Sequence, residues 1–351
     1  MSSPATVSLD VMGGDFGPKV VLPAAATVLK QNKDVLLRLY GDQSKMVPYL
    51  HTLKSYRGRY EIVHTDIAID NHVKPSQALR SGKNSSMRLA IESVSSGQAD
   101  CVVSAGNTGA LMATAKLVLR CLPGIQRPAI ASVFPTQKGA SVVLDLGANL
   151  QCNAEHLVQF AVLGAVYARI LRGVERPTVG LLNIGSEAMK GHENLRNAGA
   201  ILSSVPFPGR YQGFVEGNDI TLGTTDVVVT DGFTGNVALK TAEGVGKMIG
   251  ELMRQEFRRS PFAAIGYLFC STALKRVKRR MDPGRYNGGL FLGLNGVCVK
   301  SHGSADIASY AQAIRVAIDM VENKFNNRVA SEIEELTSQE SFVSMSDQLN
   351  G

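Results

Sequence analysis

Six times in this chain an apolar run of strand length stops at glycine mixed with Asn, Asp, Ser or Thr, and a helix-compatible segment follows. The most informative copy runs from Pro177 to Asn197. Val179, Leu181 and Leu182 make the run, Asn183-Ile184-Gly185-Ser186 breaks it, and Glu187, Lys190 and Gly191 lead into the helix. The other five exits are 10–18, 104–110, 145–149, 231–236 and 301–306. Strands alternating with helices specify an α/β chain with a mostly parallel sheet covered on both faces. Open sheets of this kind bind ligands at the carboxyl ends of their strands. Glycine lets backbone N–H groups come close to a ligand, and a helix start offers an anion unpaired donors and a positive dipole end. Turn and cap chemistry explains any single exit without a ligand. Six together predict one shared anion cleft, with Lys190 in it.

The pattern predicts strands at 5–10, 35–40, 62–63, 101–103, 130–134, 142–146, 179–182 and 227–230. It predicts helices from Pro18 to about Lys30, up to about Ser95, up to about Leu119, over 155–171, over 237–258, and one long helix from about 306 to 336. A single catalytic domain over 1–336 is expected, with 245–285 protruding and 337–351 a polar tail. The chain has 351 residues, 44% hydrophobic and 19% charged, which is globular rather than disordered composition. A net charge of +7 favours acidic partners. The five scattered cysteines form no CxxC or Cys/His ligand spacing, so a reducing cytoplasmic setting without disulfides or zinc is expected. No signal peptide is legible, and no uncharged apolar run reaches the roughly 20 residues that span a bilayer.

No Walker loop, GxSxG elbow or HExxH occurs, and Gly244, Gly246 and Gly250 fall inside a predicted helix. Lys190 is the candidate charge stabiliser and Asp231 the candidate acid/base or phosphate organiser. Each has a plain alternative, Lys190 as a solvated loop lysine and Asp231 as a helix cap. Gly13, Gly14, Asp15, Gly106, Asn107, Thr108, Asn149, Asn183, Gly185, Asn236 and His302 are the candidate phosphate and substrate contacts. His156 is expected at the surface or half-buried on its helix.

Asp10-Val11-Met12-Gly13-Gly14-Asp15, Lys83-Asn84-Ser85-Ser86-Met87, Ser104-Ala105-Gly106-Asn107-Thr108-Gly109-Ala110, Asp145-Leu146-Gly147-Ala148-Asn149, Leu182-Asn183-Ile184-Gly185, Lys190-Gly191 and Thr230-Asp231-Gly232-Phe233-Thr234-Gly235-Asn236 follow one another in order. The ordered set resembles the bacterial phosphate acyltransferases of the PlsX family, from about residue 5 to 330. Two departures are visible: Ala188-Met189 precede Lys190 where charged residues are frequent, and His192 stands where Asn is usual. The resemblance implies a three-layer α/β/α fold similar to phosphotransacetylases and isopropylmalate dehydrogenases, in a homodimer. It implies that acyl carrier protein thioester and inorganic phosphate give acyl phosphate and free carrier protein. The acyl phosphate would pass to a membrane glycerol-3-phosphate acyltransferase in phospholipid synthesis. Phosphate is itself the nucleophile and the thioester is already activated, so no metal or organic cofactor is expected. The tasks left to the protein are alignment and oxyanion stabilisation.

Residues 259–283 interrupt the alternation. Ile265, Phe269, Ala273, Val277 and Met281 recur every four residues, and Lys275, Arg276, Lys278, Arg279 and Arg280 cluster behind them. That composition fits a helix lying on an anionic membrane surface at the inner face, and it equally fits a helical hairpin in a dimer. It is also the best basic landing patch for an acidic carrier protein. Nucleic acid is not an expected partner. Two competing readings are a nicotinamide-dependent decarboxylating dehydrogenase, whose paired metal-binding Asp residues are not found, and a non-catalytic scaffold, which leaves the six exits unexplained.

Overall fold

Asp10, Ser104 and Lys300 end three neighbouring strands of an eleven-stranded sheet, seen in a computed structural model that describes residues 4–70, 72–281 and 288–338. The elements are β1 (Ala5–Asp10), α1 (Pro18–Gln31), β2 (Val35–Gly41), α2 (Gln43–Met46), β3 (Tyr60–His64), α3 (Pro75–Ser81), α4 (Ser86–Ser95), β4 (Cys101–Ser104), α5 (Thr108–Leu119), β5 (Ala129–Thr136), β6 (Gly139–Leu144) and α6 (Ala154–Arg172). They continue as β7 (Thr178–Leu182), α7 (Glu193–Ser204), β8 (Arg210–Val215), α8 (Gly217–Leu222), β9 (Val227–Val229), α9 (Gly232–Arg258), α10 (Pro261–Met281), β10 (Gly289–Leu292), β11 (Val297–Lys300), α11 (Ile307–Glu322) and α12 (Phe325–Thr337). A 3-10 helix over Val47–Tyr56 joins α2 to β3.

The strand order is β3-β2-β1-β4-β11-β10-β5-β6-β9-β7-β8. β3, β2, β1, β4 and β11 run parallel to one another. β10 is antiparallel to β11 and to β5, and β5 is antiparallel to β6. β9, β7 and β8 then run parallel to β6. Two parallel blocks therefore point in opposite directions within one sheet. The central strands are apolar on both faces, as strands covered on both sides must be. Alternate residues divide between two cores. Leu9, Val103, Leu144 and Leu181 pack with α1, α6 and α11 on one face. Val102, Val143 and Val228 pack with Ala90 and Ile91 of α4 and Leu111 of α5 on the other.

The expected three-layer architecture is present, with differences that have local causes. The predicted last helix is two, because Lys324 takes a left-handed φ of 52° between α11 and α12. α9 begins five residues earlier than predicted because Asp231 caps it. β8, β10 and β11 were not predicted. β10 and β11 are four residues each, too short for periodicity to mark. His156 is buried, not superficial, within the capping box that starts α6. Among the described residues only α6 has the length and apolarity to cross a membrane, and it is mostly buried in the core. α10 packs back on α9, with Tyr267 edge-on to Phe257 at 5.2 Å between ring centres. Along this pair Met248, Leu252, Phe262, Ile265, Leu268, Phe269 and Val277 are exposed. Lys275 and Arg276 are exposed as well. The side chains of Lys278, Arg279 and Arg280, and residues 282–285 and 339–351 of the predicted protrusion and tail, lie outside the described residues.

Candidate active site

The opposed blocks divide the six exits into two groups of three, one on each parallel block. Exits 10–18, 104–110 and 301–306 follow β1, β4 and β11, neighbours at one edge of the sheet. Exits 145–149, 183–191 and 231–236 follow β6, β7 and β9, neighbours at the other edge. Gly13, Gly14, Asp15, Gly106, Asn107, Thr108 and His302 thus belong to the first group. Lys190, Asp231, Asn149, Asn183, Gly185 and Asn236 belong to the second.

At the first edge Asp10 is buried. Its Oδ1 accepts from Ser86 Oγ and its Oδ2 from Ser104 Oγ, each at 2.6 Å. Burial raises its pKa, against these two hydroxyls and the Met12 and Gly13 amides. The two loops meet so closely that a Cβ on Gly13 would lie 2.6 Å from Asp10 Oδ2 and 2.7 Å from the Gly106 nitrogen. Asp15 N–H donates to Gly303 O at 2.9 Å, which ties the first exit to the third. Asn107 is committed as the cap of α5, accepting from Ala110 N–H at 2.8 Å. His302 Nδ1 accepts from Ser304 N–H at 3.2 Å. Lys300, which the sequence reading missed, donates from Nζ to Ala105 O at 3.3 Å and to Ser301 O. Burial lowers its pKa to about 8, with Asp10 and Asp15 opposing that shift and Lys240 adding to it. Its only sequence signal was position, at the end of a strand too short to recognise.

At the second edge Asp145 plays the part of Asp10. Its carboxylate accepts the backbone N–H groups of Ile130, Gly147, Ala148 and Asn149, at 2.7–3.2 Å. Burial raises its pKa against those bonds. Asn149 was expected to contact phosphate, but its side-chain amide donates to Pro128 O and Asp145 Oδ2, both at 2.8 Å, and so braces the loop. Asn183 does likewise. Its amide donates to Lys190 O at 3.0 Å while its Oδ1 accepts from Ile184 N–H at 2.8 Å, closing the loop that carries Lys190. The Lys190 side chain is exposed and makes no ion pair among the described residues. His192 caps α7, accepting from Leu195 N–H at 3.3 Å, so the departure from Asn leaves the helix start intact. Asp231 caps α9, accepting Thr234 N–H at 2.9 Å and Thr234 Oγ1 at 2.8 Å. Gly232 N–H donates to Asn149 O at 2.7 Å, joining the β6 and β9 exits. Asn236 lies beside Gly147, and its side chain is exposed.

One element connects the edges. α9 starts at Asp231, and Lys240 lies nine residues on, about 13 Å along the axis. Lys240, Glu243 and Lys247 act electrostatically on His302, and Lys240 also acts on Lys300. The charged side of α9 therefore faces the first edge while its N-terminus belongs to the second.

An α/β/α sheet with two opposed parallel blocks and glycine-bearing strand exits defines a phosphotransacetylase-like fold. The chain superposes on a EutD phosphotransacetylase from Staphylococcus aureus with a TM-score of 0.57 and 14% identity, covering 91% of this chain and 94% of the other. The description fatty acid synthesis protein fits residues 5–328, and the chain belongs to that family. A phosphate acyltransferase from Rhodospirillum centenum is 51% identical over 336 residues, covering 96% of this chain and 95% of its own. A phosphate acyltransferase from Rhodospirillum rubrum is 50% identical over 346 residues, covering 99% of both.

Proposed function

We propose that this chain transfers an acyl group from acyl carrier protein to inorganic phosphate, yielding acyl phosphate and free carrier protein as an early step of phospholipid synthesis. Kinship with phosphate acyltransferases at about half identity over almost the whole length supports it. In the step, a phosphate oxygen attacks the thioester carbon, a tetrahedral oxyanion forms, and the carrier's thiolate leaves with the electron pair of the broken C–S bond. The single observation behind the choice of site is the adjacency of the β6, β9 and β7 exits. Lys190, exposed on the loop after β7, and Asp231, the cap of α9 after β9, thus follow two paired strands. Lys190 neutralises charge growing on phosphate or the oxyanion. Asp231, held by Thr234, orients phosphate or the carrier's prosthetic arm. Gly185, Asn236 and the Phe233 N–H in the first turn of α9 complete the donors, since the Gly232 and Thr234 N–H groups are held by Asn149 and Asp231. Lys190→Ala should lower turnover by about 10²- to 10³-fold with the fold intact, the scale of one lost transition-state donor. Near-normal turnover would remove Lys190 from the role.

Lys300 supports a second reading, in which phosphate sits at the first edge among Gly13, Gly14, Asp15, Gly106, Thr108 and His302. A largely buried ammonium held by the Ala105 and Ser301 carbonyls, near Asp10 and Asp15, is the observation that favours it.

The α9–α10 pair is proposed as the face for a second copy of the chain and for an anionic membrane. Its exposed apolar side chains and the basic Lys275 and Arg276 support that role. The same basic end would receive the acidic carrier protein. The enzyme would then work in the cytoplasm, peripheral to the membrane where a glycerol-3-phosphate acyltransferase consumes its product.

A further inference from the structure

The two edges of the sheet differ in what they show to solvent. Among the described residues, the exposed large apolar side chains at the first edge are Phe16 and Ile307 on or next to its exits and Ile67 on the neighbouring β3 exit. At the second edge there are five: Leu150 at 71% exposure, Ile184 at 80%, Met189 at 89%, with Phe233 and Val237. They belong to three adjacent exits. Leu150 follows Asn149, whose carbonyl accepts Gly232 N–H, so it lies beside Phe233. Val237 follows Asn236, which packs on Gly147 of the same β6 exit. Ile184 and Met189 lie on the neighbouring β7 exit, closed by Asn183, and Met189 directly precedes Lys190.

Five exposed apolar side chains on three adjacent exits, two of them on the loop of Lys190, offer apolar surface that water solvates poorly. We propose that Leu150, Ile184, Met189, Phe233 and Val237 form the docking rim for the acyl chain of the substrate, and that this rim sets chain-length preference. The inference rests on the acyl-transfer reading and deepens it by placing the hydrocarbon. Charge complementarity selects this occupant. An acyl phosphate is an anionic head on an apolar tail, and these exits carry exposed apolar side chains together with the exposed Lys190 and the positive end of α9. The first edge, among the described residues, shows fewer and less exposed apolar side chains.

The test uses the full chain with acyl carrier protein loaded with a butyryl or a palmitoyl group, plus inorganic phosphate. The variants are Ile184→Ser with Met189→Ser, and separately Leu150→Ser, which lies on a different exit and guards against a local loop effect. With the palmitoyl substrate kcat/KM should fall about tenfold or more in the double variant. With the butyryl substrate it should change less than about twofold, because lost contact with methylenes is felt only where methylenes reach. Equal loss with both chains overturns the proposal. Equal loss accompanied by a shift of oligomeric state on gel filtration overturns it and gives the face to a second copy of the chain. A wild-type protein that consumes neither thioester in a phosphate-dependent way refutes the acyl-transfer reading itself, a separate result from either of these.

Discussion

His156 shows how a residue unremarkable in sequence becomes consequential in the fold. It is the third helical residue of α6, accepts from Asn153 N–H at 3.3 Å in a reciprocal capping box, and stacks on Phe160 at 6.5 Å between ring centres. Burial, with Arg127 and Lys116 nearby, lowers its pKa from 6.5 to about 4. The unfolded chain takes up a proton near pH 6.5 and the folded chain only near 4. Between those values the unfolded state binds more protons, so stability falls as pH drops through that window. His156→Gln keeps the capping box and should flatten the decline, as read from denaturant midpoints between pH 6.5 and 4. Lys190 is the opposite case. Its exposure and its place in a polar exit loop were legible from local sequence. Asn149 and Asn183 misled, because an amide that braces a loop and an amide that holds a ligand have the same local signature.

Among the elements, α9 does most to shape the site. Asp231 starts it, and Gly232 and Gly235 sit against the Asp145–Asn149 loop. A side chain at position 235 would run into the Asp145 carbonyl, and the backbone cannot yield there. Gly235→Ala should therefore destabilise by about 1–3 kcal/mol, the range for overpacking a tight contact, measured by urea unfolding. Most of α9 and α10 is exposed, which is why the stripe-and-cluster pattern of residues 259–283 was readable: surface helices keep their periodicity. If the pair rests on a membrane, binding to vesicles rich in anionic lipid should weaken with salt, and more so when Lys275 and Arg276 are replaced by Gln, in a sedimentation assay. Vesicle binding indifferent to both would remove the membrane role. β10 and β11 escaped sequence analysis for the opposite reason. A four-residue strand inside a sheet is held by its neighbours, not by its own pattern.

The whole molecule decides where phosphate can bind, because the β10 and β5 turns reverse the second half of the sheet. Phosphate titrated into labelled protein should shift the amide signals of Gly185, Gly191, Gly232 and Gly235 and leave Gly13, Gly106 and Gly303 unmoved. The reverse pattern would favour the Lys300 edge. The chain by itself determined the strand–exit–helix alternation, the apolar runs of the central strands, the family and its reaction, and the Lys190 and Asp231 loops. These depend on neighbours along the chain, where spacing and composition carry the physics. Only the tertiary structure decided that six similar corners form two sets of three, that Asp10 and Asp145 are buried anchors for them, and that Lys300 at the end of β11 reaches Ala105 just past β4. Those outcomes depend on strand direction and on contacts between residues such as Asp10 and Ser104, 94 positions apart, and no local pattern records the direction in which a distant strand will pair.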